Sequence, residues 1–96
     1  MENSRNEYIA KAKENLELLN ARIVNLEAMA NEKSGEVRRE LKATLSGIRD
    51  SKEQADRRLQ ELKLASKPAW EDIKHGVEQA WVSLSDSVDR AAARFK

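Results

Sequence analysis

"NEKSGEV", residues 31–37, decides whether the first two-thirds of this chain is one helix or two. The Ser-Gly pair suits a turn, yet the apolar spacing on either side suits a continuous rod with one weak point. Upstream, the seam runs Ile9, Ala12, Leu16, Leu19, Ile23, Leu26, Ala30, Lys33 and Val37, alternating steps of three and four. That alternation keeps one stripe of a helix against a partner helix, and only Lys33 interrupts it. Downstream, Val37, Leu41 and Leu45 make two successive steps of four before Ile48, Lys52, Ala55, Leu59 and Leu62 resume the alternation. An inserted four of this kind relaxes left-handed supercoiling.

Punctuation is clearer at the other ends. "SRNEYI" (4–9) predicts a helix start, because Ser4 can accept from an amide three residues on while Glu7 reaches back to the Ser4 amide. "ASKPAWED" (65–72) predicts another: Ser66 is a suitable N-cap, Pro68 is tolerated in a first turn, and Glu71 and Asp72 suit the positive end of a helix dipole. Arg90, Arg94 and Lys96 carry the charge favoured at a helix C-terminus. The fold class is therefore all-α, with long amphipathic helices over about 5–32, 36–65 and 67–95 in one domain, 1–96. Cut at both places, the chain gives segments each roughly 45 Å long, matched for an antiparallel coiled coil or up-down-up bundle. If residues 5–65 form a single helix, half of it needs a second chain to cover it.

The last segment has its own period. Written in elevens it reads AWEDIKHGVEQ, AWVSLSDSVDR, AAARFK, aligning Ala69, Ala80 and Ala91, then Ile73, Leu84 and Phe95, then Val77 and Val88. Eleven residues in three turns keep this stripe almost parallel to the helix axis. Stepping about 100° per residue puts Trp70 and Trp81 on one edge of the stripe and Gly76, Ala80 and Ser87 on the other. Small residues admit a neighbouring backbone closely and tryptophans cover a wider gap, so the helix is built to touch two neighbours. Glu71, Asp72, Lys74, His75, Glu78 and Asp89 fall on the remaining face, which reads as solvated, with Glu71–Lys74 and Asp86–Arg90 as helix-spaced pairs.

Composition narrows the function classes. The 18 basic and 17 acidic residues nearly cancel, so no net field draws the chain toward nucleic acid or anionic lipid. Arg38, Arg39, Arg57 and Arg58 make two basic pairs, but neighbouring acids offset them and no aromatic residues are interleaved for base stacking; nucleic acid is not an expected partner. His75 is the only histidine and there is no cysteine, which leaves no convergent set of catalytic groups or metal ligands. The carboxylates pair with bases at helical spacing, as in Glu7–Lys11 and Glu53–Arg57. No enzyme, cofactor or metal reading follows. The N-terminal stretch lacks a signal-peptide core and no run approaches a membrane span, so a cytoplasmic location is expected.

The C-terminal run "AWEDIKHGVEQAWVSLSDSVDRAAARFK" resembles a family of small bacterial coiled-coil stress-response proteins, first noted in cyanobacteria. The matching positions are Ala69, Trp70, Glu71, Asp72, Lys74, Gly76, Glu78, Ala80 and Trp81, with Arg94 and Phe95 near the end; Pro68 departs from the pattern. The resemblance covers about thirty residues and implies a cytosolic, stress-associated protein with no catalytic residues.

The expected role is a non-enzymatic helical bundle acting through protein–protein contacts, self-associating with a dimer favoured, and open to another protein partner. The interface residues expected are Leu16, Leu19, Ile23, Leu26, Leu41, Leu45, Ile48, Leu59 and Leu62 on the long seam, with Trp70, Ile73, Val77, Trp81, Leu84, Val88 and Phe95 on the last helix. The alternative is an apolipoprotein-like protein whose last helix binds lipid or membrane surfaces, since elevens edged with tryptophan also suit a helix lying on lipid.

Overall fold

A computed structural model describes residues 2–95 as three helices and no strand: α1 (Glu2–Glu32), α2 (Gly35–Lys63) and α3 (Lys67–Arg94). Lys96, expected beside Arg90 and Arg94 at the end of α3, lies outside the described residues. The helices pack up-down-up into a rod of 52 × 18 × 17 Å.

The two turns work by different means. At the first, the Lys33 amide donates to the Ala30 carbonyl at 3.2 Å, Ser34 is extended, and Gly35 takes φ +60°. Only glycine adopts that left-handed backbone without penalty, so Gly35 is what lets the chain reverse within two residues. At the second, the amides of Leu64 and Ala65 close on the carbonyls of Glu61 and Leu62, each at 3.2 Å, and Ser66 turns extended ahead of α3. Neither Ser34 nor Ser66 makes a side-chain cap bond; Pro68 still falls at the start of α3, where its missing N–H costs nothing. Glu71 and Asp72 lie just past the first turn of α3, not within it.

The predicted start at Ser4 is corrected. The helix already runs from Glu2, so Ser4 has helical backbone and cannot cap, and no Ser4–Glu7 bond forms among the described residues.

One core fills the rod. Leu16, Leu19, Ile23, Leu26 and Ala30 of α1, Leu41, Leu45, Ile48, Ala55, Leu59 and Leu62 of α2, and Val77, Leu84, Val88, Ala91 and Phe95 are all buried, with no buried polar or charged side chain among the described residues. Ion pairs lie outside this core, one across each helix pair among the described residues: Arg22–Asp89 at 2.7 Å, Arg49–Glu27 with Nε to Oε2 at 3.0 Å, and Arg94–Glu40 at 3.1 Å. Each is solvent-exposed enough to contribute about 1 kcal/mol or less. Lys52, a seam position, is part-buried and has its ammonium paired with Asp56 at 2.8 Å. Val37 departs from the seam expectation: it sits beyond the turn with 45% of its surface exposed.

The helix pairs are unequal. Against α2, α3 presents its small edge, with Gly76 facing the Arg58 side chain and Ser87 beside Gly47 and Ile48. Against α1 it presents its tryptophan edge, and this α1/α3 contact is the thinnest of the three.

Candidate interaction face

The α1/α3 seam carries the molecule's polar and aromatic contacts of interest. At its lower end, where α1 begins and α2 hands over to α3, Arg5 donates from Nη2 to the Ala65 carbonyl at 2.7 Å and lays its guanidinium 4.2 Å from the Trp70 ring centre. Trp70 meets Tyr8 edge to face, with centroids 6.1 Å apart at 73°. That geometry suits the quadrupoles of both rings. The Tyr8 hydroxyl donates to Glu78 Oε1 at 3.1 Å, and Lys74 Nζ stands 5.0 Å from the Tyr8 ring. Burial pushes the Tyr8 hydroxyl up to about 12, and the Glu78 hydrogen bond and charge act in the same direction.

Above this clasp, α1 and α3 separate into a cleft of about 320 Å³. Leu16, Ala55 and Val77 form its floor, Tyr8, Ala12 and Trp81 its walls, and Lys11, Asn15, Glu78 and Val82 its rim. Trp81 Nε1 is buried and has no hydrogen-bond partner. A buried donor left unpaired costs about 1–3 kcal/mol, so Trp81 holds its place by ring packing alone. Val82 is 60% exposed on the α3 rim, and Leu18, one turn along α1 from Asn15, is 61% exposed.

The residues expected at the interface are therefore brought together, but within one chain. The nine seam residues and Val77, Leu84, Val88 and Phe95 are buried in the core, while Trp70, Ile73 and Trp81 pack half-buried against it. Sequence reasoning missed Arg5, Tyr8 and Leu18 as surface features, while Val82 is exposed as the period of α3 predicts. Glu78 and Asp89 are exposed, as the solvated-face reading predicts, and each also reaches α1, at Tyr8 and Arg22. Of the helix-spaced pairs, Asp86–Arg90 forms at 3.0 Å, while Lys74 turns toward Tyr8 instead of Glu71. His75 is exposed, and no group of three or more His, Asp or Glu side chains able to hold a metal comes together among the described residues.

No helix among the described residues is long and apolar enough to cross a membrane. Comparison of the chain with protein-family models, curated proteins and solved structures found no match.

Proposed function

We propose that the chain is a non-enzymatic helical-bundle protein of the cytoplasm that acts through protein–protein contacts, associates with copies of itself as a dimer, and serves under stress. The observation that carries the reading is apolar surface that one chain leaves uncovered: Val82 on the rim of the α1/α3 cleft, Leu18 exposed farther along α1, and Val37 beyond the first turn. An exposed aliphatic residue on the rim of a mostly apolar groove suits an amphipathic helix laid along it. Lys11 on one rim and Glu78 on the other would orient such a helix. The stress association rests on the resemblance of residues 69–95 alone.

Lipid binding is the weaker reading on geometry. The apolar stripe of α3 is spent in the core, so Val77, Leu84 and Val88 reach lipid only if the bundle opens.

Sedimentation velocity from micromolar to millimolar concentration, with and without phospholipid vesicles, tests the proposal. The expected result is a concentration-dependent dimer whose tryptophan emission ignores vesicles. A monomer throughout, with emission shifted to the blue by vesicles, transfers the role to lipid. A monomer indifferent to vesicles removes both.

A further inference from the structure

We infer that two copies of this chain associate by exchanging α1: the 33–34 turn straightens, α1 and α2 become one helix, and each α1 packs on the α2 and α3 of the other copy. The inference rests on the reading that the chain self-associates, and it names the route.

Phase is the first support. If residues 2–63 are run as an unbroken helix at about 100° per residue, the buried positions from Leu16 to Ala30 and from Leu41 to Leu62 fall within one arc of about 100°. A helical hairpin asks for no such agreement, because its turn resets the rotation of the second helix about its own axis. The shared phase is what a continuous helix needs to keep one face covered from end to end.

Val37 is the second. It lies inside that arc, yet in the closed chain it is 45% exposed, because the reversal at Gly35 carries it past the end of α1. Register then places it. Glu27 binds Arg49, and Leu16 lines a groove with Leu59, so α1 and α2 pair about a point near residue 38. Exchange keeps this antiparallel register between copies and puts a two-fold axis at that point. There Val37 meets its own counterpart, an isologous contact.

The turn itself is the third. Only Lys33 and Ser34 stand between the helices, and short links favour exchange over closure. Gly35 is held at φ +60°, where an added Cβ would meet nothing within 4 Å. Backbone conformation alone therefore resists a side chain there, and Gly35→Ala penalises the closed turn while favouring the straight helix.

The test refolds the chain at micromolar and millimolar concentration as wild type, as Gly35→Ala, and with four Gly/Ser residues inserted after Ser34. Because the chain has no cysteine, Glu27→Cys with Arg49→Cys gives a clean bismaleimide cross-link in each background. The expected result is a wild-type dimer cross-linked between chains, with a scattering length of about 108 Å, since two antiparallel helices over 2–63 centred near residue 38 are staggered and place their first residues about 72 positions apart, against 52 Å for the closed rod. Gly35→Ala should raise the dimerisation constant about a hundredfold, roughly tenfold for each copy. The insertion should leave a monomer cross-linked within the chain. A wild-type dimer of the shorter length, cross-linked within chains and unaffected by the insertion, overturns exchange and leaves self-association standing. A wild type that stays monomeric after refolding at millimolar concentration overturns both.

Discussion

Tyr8 is the only tyrosine, so its ionisation can be followed alone in the near-ultraviolet. In the folded chain the midpoint should lie near 12, and in urea near the ordinary 10.0. The folded state holds this proton more tightly than the unfolded one. The associated stability is therefore fully present below pH 10 and is lost as pH rises toward about 12, where the unfolded chain has already released its proton. Tyr8→Phe should remove that part of the alkaline loss, and the difference between the two curves separates it from the lysines. In the core, Ile23 has no exposed surface, and Ile23→Ala should cost about 2–5 kcal/mol, read as a lower urea midpoint at unchanged slope. Ile23 was legible in the sequence because it sits near the middle of the apolar arc. The exposure of Glu78 and Asp89 was legible too, but their reach to α1 was not, for a geometric reason. They lie over 100° from the centre of that arc by helical count, where a side chain faces water or a third helix according to which side that helix takes. Periodicity along α3 carries no information on that choice.

Among the elements, the helix ends show how local and long-range causes divide. The break near Ser66 was readable because proline and the residues before it act through the backbone of their own segment. The stretch at 31–37 was not decidable, because it satisfies a turn through Ser34 and Gly35 and a rod through the phase of the residues around it. The start of α1 was misjudged for a third reason. A capping-box pattern ranks possible starts, but an amphipathic helix continues upstream wherever its backbone bonds can be made. The second turn also depends on a residue sixty positions away, since Arg5 supplies the donor for the Ala65 carbonyl. Arg5→Ala should cost about 1–2 kcal/mol by loss of that bond and of the Trp70 contact. Trp70 emission should move to the red as its ring gains water, while the helical signal stays unchanged.

For the whole molecule, the three-helix outcome follows from supply and demand for apolar cover. The tryptophan edge and the small edge of α3 give α1 and α2 the third surface that the seam alone lacks. Leu18 and Val82 take no part in that cover. Leu18→Glu combined with Val82→Glu should shift the unfolding free energy by less than about 1 kcal/mol, since substitutions at exposed sites rarely do more than 0.5 each. A larger loss in urea titration would place them inside the cooperative core. The up-down-up order has a mechanical consequence. Residues 2 and 95 stand at opposite ends of a 52 Å rod, so a pull between them runs along the helix axes. Such a load shears α1 lengthwise against α2 and α3, with α1/α3 as the weaker of its two seams, and every hydrophobic contact resists at once. A rod loaded this way is stiff under tension until α1 slides, and its failure should be abrupt.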